Sequence, residues 1–166
     1  MNYISEKIDK LTNSIENAFS GDRFDTEISE VKASEIKKAD WLFDWKKEIN
    51  YKSKQVYKFT IKDNSKIIQG LMSLEVRQGH IFLHLVENAK FNRGKNKIYL
   101  GVAGNLFAYA CKVAFEMDFG GYVSFVAKSA LREHYAKTLG AEVLFNNNMV
   151  IDTASATKLV NQYFNK

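Results

Sequence analysis

A chain of 166 residues, 46% hydrophobic and 26% charged, is long enough for one domain with a full hydrophobic core and too short for two comfortable ones. Its 24 Lys and Arg against 19 Asp and Glu leave a net charge of +5, a mild excess that favours anionic ligands, phosphorylated cofactors and RNA among them, without selecting between them. Apolar stretches far short of ~18 residues argue against a membrane-spanning helix, and a single cysteine, Cys111, excludes a disulfide framework and a cysteine-based zinc site.

The opening "MNYISEKIDK" has no charged-then-apolar leader, so the expected compartment is the cytoplasm. Residues 4–19 carry Ile4, Ile8, Leu11, Ile15 and Phe19 among polar neighbours, the spacing of a helix with one narrow apolar stripe. "SGDRFD" breaks it, "TEISEV" alternates as a short strand, and the aromatic cluster around Trp41 and Trp45 is read as a second helix. Three strands follow. "QVYKFTIK" alternates Val56, Lys58 and Thr60 against Tyr57, Phe59 and Ile61, and "KIIQGLMSLEV" and "HIFLHLV" are joined by "RQG", a natural hairpin connection. This is an antiparallel meander.

A basic loop, "ENAKFNRGKNKIYLG", leads to a helix that starts near Ala103. Ala103, Leu106, Phe107, Ala110, Val113, Ala114 and Met117 share one face of it, and Gly120-Gly121 ends it. "YVSFVA" is a buried-type strand, and a short helix from Ser129 to Leu139 stops at Gly140. "AEVLFNNNMVID" reads as two strands around an Asn-rich turn, with Asp152 or Thr153 capping a last helix through Phe164. The expected class is mixed α/β: one domain over 1–166, with a helical extension over 1–22, a core over 26–152 and a terminal helix over 153–166.

The loop before the long helix raises the first functional question. Gly101, Ala103 and Gly104 clear the approach to amides that have no partner inside the helix, where the helix dipole is positive. Between Asn88 and Phe115 every charged residue is basic: Lys90, Arg93, Lys95, Lys97 and Lys112. This pattern fits an anion site, and it equally fits a tight turn beside a solvated basic loop. It contains neither Gly-Lys-Ser/Thr nor Gly-x-Gly-x-x-Gly, so the two common nucleotide fingerprints are absent.

In order and spacing, these pieces resemble the GNAT superfamily of acetyl-CoA-dependent N-acetyltransferases. That family's pyrophosphate loop, Arg/Gln-x-x-Gly-x-Gly/Ala, lies between its fourth strand and third helix, with a Leu three residues on. Here Gly101-Val102-Ala103 and Leu106 match, while Ile98 stands at the first position beside Lys97. Downstream, Gly120-Gly121, "YVSFVA" and "KSALREHYAKTLGA" follow the family's order. Tyr135 falls on its Tyr when counted from the strand and one residue early when counted back from Leu139-Gly140; Lys128 replaces an Asn and Ala141 a Phe.

The resemblance implies a mostly antiparallel sheet whose central strands, "HIFLHLV" and "YVSFVA", splay apart to admit acetyl-CoA. It implies a pyrophosphate on Gly101, Val102, Ala103, Gly104 and Asn105, with Lys97 and Lys128 nearby, and a pantetheine arm along Leu85 and Val86. An amide near Val86 would polarise the thioester carbonyl. Acetyl would pass directly to a primary amine, which must first lose a proton. Glu87 is the leading base candidate, with Glu75 and His84 as alternates, and Tyr135 is the acid for the departing thiolate. His80, His84 and His134 lack metal-ligand spacing, so no metal is expected. The acceptor class stays open among a small molecule, a peptide and an aminoacyl amine. GNAT toxins that acetylate charged tRNA would make RNA a partner, a non-catalytic acyl-CoA- or protein-binding module is the competing reading, and a homodimer is compatible with either.

Overall fold

The computed structural model of the chain describes residues 14–17, 19–92, 99–100, 102–127 and 129–164. Their strands are β1 (Ser14–Asn17), β2 (Arg23–Glu30), β3 (Lys54–Ile61), β4 (Gly70–Arg77), β5 (His80–Asn88), β6 (Tyr99–Leu100), β7 (Val123–Val126), β8 (Glu142–Phe145) and β9 (Asn148–Ile151). The helices are α1 (Trp45–Asn50), α2 (Val102–Glu116), α3 (Arg132–Leu139) and α4 (Thr153–Tyr163). Among the described residues the strands form one sheet in the order β6-β1-β2-β3-β4-β5-β7-β9-β8. Every neighbouring pair is antiparallel except β5 and β7, which run parallel. The class is mixed α/β, as the element order indicates.

The sheet is covered on both faces, and strand alternation sorts the side chains between them. On one face Phe59, Met72, Ile81 and Leu83 join residues of α2, α3 and α4 in the larger core. On the other, Val56 and Leu71 pack with Val31, Ile36 and Trp45 under α1. α4 docks on α2, and its N-cap is Asp152, whose side chain accepts from Ser155 N at 2.9 Å. Past the end of α2, Gly121 has a φ of 79°, and an added Cβ would sit 2.6 Å from the Phe115 ring and 2.7 Å from the Ala156 methyl. Only glycine meets both demands there.

Several expectations are corrected. The helix expected over 4–19 lies outside the described residues over 4–13, and its end contains β1, paired to β2 and β6. A stripe spaced for a helix is overridden where two strand edges offer backbone partners. The second helix shrinks to the six residues of α1, entered through two 3₁₀ turns at Ala33–Glu35 and Lys38–Asp40. The strand read from Lys66 begins at Gly70, and β6 was not foreseen within the basic loop. Met117 lies beyond α2 and is 42% exposed, so the buried stripe ends a turn early.

Candidate functional site

The candidate site is built around the one parallel junction among the described residues. β5 and β7 pair only through Ile81 with Val123 and Phe82 with Ser124, and then part. Beyond Phe82 no strand pairs with β5 on its β7 side among the described residues, and a strand edge of this kind is where an extended ligand pairs as an added strand. From Leu83 to Asn88 that edge runs roughly 17 Å at strand rise.

β5 also carries a bulge at this point. Ser73 faces Leu85 while Leu74 faces Leu83, so His84 has no counterpart on β4. The extra residue shifts the alternation by one. Leu83 packs in the core beneath α2, whereas Leu85 joins the cluster beneath α1 and His84 meets Glu48 of α1. Val86 returns to the α2 side, and Glu87 lies on the α1 side with Leu71, its partner on β4. The bulge sits two residues before Val86, the position expected to offer the polarising amide.

At the far end of β5, α2 begins. Val102, Ala103, Gly104 and Asn105 of its first turn are all buried. Gly70, which pairs with Asn88, permits this approach: an added Cβ would lie 2.8 Å from Val102 Cγ1, 3.3 Å from the Glu87 carbonyl oxygen and 3.4 Å from Leu106 Cδ1. The chain leaving β5 is tied down by Asn92, whose Nδ2 donates to Gln69 Oε1 at 2.9 Å and to the Gln69 carbonyl at 3.1 Å. Gly101, Lys97 and Lys128, together with Arg93 and Lys95, lie outside the described residues. Lys112 stands ten residues along α2, about 15 Å from its start, with Nζ 5.3 Å from the Phe164 ring centroid.

Tyr135 is buried on α3, edge-on to Phe125 of β7 at 5.2 Å and tilted against Phe107 of α2 at 5.6 Å. It thus occupies the angle between α2 and β7, on the α2 side of the sheet. Gly140, in the left-handed region with φ 69°, closes α3 by donating to the Tyr135 carbonyl.

The carboxylate candidates separate. Glu87 is 2% exposed and accepts three hydrogen bonds: Leu42 N at 2.7 Å, Phe43 N at 3.1 Å and the Trp45 indole Nε1 at 2.8 Å. Those donors fasten the turn ahead of α1 to β5. Glu75 accepts from Arg77 Nε at 2.6 Å and from Ser53 Oγ at 3.1 Å. The Arg77 hydrogen bond is the main reason that its carboxyl lies below its ordinary value. His84 presents Nδ1 to Glu48 Oε1 at 2.6 Å, and Lys54 Nζ stands 3.5 Å from Glu48 Oε2. Burial opposes ionisation of Glu48, but the His84 hydrogen bond and the Lys54 charge help outweigh it, leaving this carboxyl below the usual range. Sequence reading missed Glu48 altogether; only its place on α1 beneath Trp45 brings it to the strand. Cys111 is buried with its thiol pushed up to about 12, a packing residue rather than a nucleophile. Among the described residues no group of three or more His, Cys, Asp or Glu is arranged to hold a metal, and no helix is long and apolar enough to cross a membrane.

No protein-family model matches the chain, and no curated relative matches its sequence. Solved structures do match its fold. The KacTA–DNA complex superposes with a TM-score of 0.59 at 14% identity, over 81% of this chain and 97% of that one. A Tyr-to-Phe mutant of the AtaT toxin, bound to the C-terminus of the antitoxin AtaR and acetyl-CoA, gives 0.58 at 15%, over 82% and 99%. The ribosomal-protein-S18-alanine N-acetyltransferase from Escherichia coli gives 0.53 at 10%, over 76% and 90%. With its parted central strands and the helix entering beside them, the chain has the fold of the GNAT N-acetyltransferases.

Proposed function

We propose that this chain is an acetyl-CoA-dependent N-acetyltransferase that passes acetyl directly from the thioester to a primary amine. The observation that carries this reading is the parting of β5 from β7 after Phe82, with a bulge beside it and the start of α2 at the other end of the same edge. The strand edge would hold the pantetheine arm through Leu85 and Val86. The amides of Gly101, Val102, Ala103, Gly104 and Asn105 would hold the diphosphate, with Lys97 and Lys128 adding charge. These groups supply positioning, which alone can contribute several kcal/mol to an acyl transfer. A backbone amide near Val86, just past the bulge, would bear the charge that develops on the carbonyl oxygen. The Tyr135 hydroxyl would donate to the departing thiolate; with reference pKa values of about 10 and about 8.5, that hydrogen bond requires no prior ionisation.

A charged-RNA acceptor is the second reading, favoured by the surface next to the site. Lys37, Lys38, Lys46, Lys47 and Lys52 are exposed in the same stretch of chain as Leu42 and Phe43, themselves 76% and 43% exposed. Apolar side chains among cations suit a polyanion with stacking bases. An aminoacyl ester also presents a primary amine, so the chemistry is shared.

Native mass spectrometry for retained CoA species and calorimetry with acetyl-CoA test the reading. Acetyl-CoA at ~100 times its dissociation constant should add about 2.7 kcal/mol of stability, or roughly 5–10 °C in Tm for a chain of this size. Tyr135→Phe should keep that binding and lose thiol release. Unchanged turnover removes Tyr135 from the chemistry; absence of any CoA binding leaves the non-catalytic protein-binding reading.

A further inference from the structure

The amine must be deprotonated before it attacks, and Glu87, the leading candidate from sequence, has its carboxylate taken up by three donors that hold the 42–45 turn. We infer that His84, aligned by the buried carboxylate of Glu48, is the base that removes the acceptor's proton. The inference rests on the acetyltransferase reading above and identifies its missing proton acceptor.

Three observations meet at this residue. His84 is the unpaired residue of the bulge, two positions past the last β5–β7 pair, where the thioester would lie. Its side chain retains 34% of its exposure, so the ring is within reach of solvent, while Glu48 retains 6%. Nδ1 lies 2.6 Å from Glu48 Oε1. An ionised Glu48 accepts from Nδ1–H, which leaves the neutral imidazole's lone pair on Nε2. The charged groups of β3 and β4 nearest this ring are already engaged. Lys54 of β3 pairs with Glu48 and lies over the Tyr51 ring at 4.3 Å. Glu75 and Arg77 of β4 pair with each other, and the Arg77 guanidinium sits 3.8 Å from the Phe82 ring centroid. Phe82 in turn lies 5.9 Å from the His84 ring. Lys46 and Lys47 of α1 are exposed.

The proton count closes. An alkylammonium gives one proton to His84 Nε2, directly or through one water, and His84 passes it to solvent. The neutral amine attacks the thioester carbon, the C–S bond breaks, and the nitrogen's second proton replaces the one Tyr135 gives to sulfur. The third proton stays on the amide. Glu48 is a positioning residue: it fixes the tautomer and stabilises the imidazolium.

The test uses the full chain with acetyl-CoA and three amines: putrescine, a dipeptide and an aminoacyl-RNA. His84→Gln should keep acetyl-CoA affinity by calorimetry and lose about 100-fold or more in kcat/KM, together with the acidic limb of the pH–rate profile. Imidazole should restore part of the rate to His84→Ala. Glu48→Gln should shift that limb and, in ¹⁵N-imidazole NMR, release the Nδ1–H tautomer that the wild type shows. An unchanged limb in His84→Gln, or an Nε2–H tautomer in the wild type, overturns the base assignment while wild-type turnover keeps the acetyltransferase reading. A wild type that releases thiol to none of the amines overturns both. Should His84→Gln fail to fold, the wild-type tautomer decides.

Discussion

Replacing Glu87 tests whether its carboxylate is a clamp that holds the turn ahead of α1 to β5. In Glu87→Ala three donors lose their common acceptor. The Trp45 indole N–H cannot recruit water, because Trp45 is 1% exposed. A buried unsatisfied donor costs about 1–3 kcal/mol, and hydrogen bonds to a charged group contribute about 1.5–3 kcal/mol each. Leu42 and Phe43 are exposed, so water can replace the carboxylate at their amides and recover much of that loss. The expected total is about 3–5 kcal/mol, dominated by the indole. At roughly 2–4 °C per kcal/mol for a chain of this size, Tm should fall on the order of 10 °C. Glu87→Gln keeps one carbonyl acceptor but turns an amide toward N–H groups, and should lose about half as much. Urea unfolding followed by Trp fluorescence reads both stability and the loosening of Trp45. A loss under about 1 kcal/mol in Glu87→Ala would refute the clamp, and so would a Glu87→Gln variant of full stability but abolished turnover, which would return Glu87 to the role of base.

Gly70→Ala should cost about 1–3 kcal/mol by overpacking, because the new methyl meets stiff Val102 Cγ1 at 2.8 Å and the Glu87 carbonyl at 3.3 Å. Since α2 starts at Val102, the acetyl-CoA affinity proposed for this chain should fall with stability, and a variant with both intact would show that the contact relaxes freely. Glu35 pairs with the buried Lys58, whose Nζ also donates to the Ser65 carbonyl at 3.2 Å. The Lys58 hydrogen bond, then the Lys32 amide, holds the Glu35 carboxyl below its ordinary value of 4.5. Its folded pKa is depressed, so its contribution is present above pH 4.5 and is lost as pH falls through the folded value. Glu35→Gln should be less stable at pH 7 and lose less on acidification; parallel stability–pH curves for variant and wild type would contradict this.

Features that depend on neighbours a few residues away are legible in the chain. Strand alternation over 56–61, the hairpin at Gln78–Gly79, the apolar stripe of α2 and a cap at Asp152 or Thr153 follow from periods of 2 and 3.6 and from local capping chemistry, and the structure places that cap on Asp152. The rest depends on contacts between elements far apart in the chain. The bulge at His84 exists only against the register of β4, and that one extra residue puts His84 and Glu87, three apart, on the same face. Glu48 and His84 are 36 positions apart, and Glu87 and Trp45 are 42 apart. No spacing rule links such pairs; the sheet does, because packing α1 on β3 and β5 brings those side chains within hydrogen-bonding distance. Residues 14–17 are a strand for the same reason: a helical stripe is a weak local preference, and the edges of β2 and β6 offer backbone partners that the sequence does not announce.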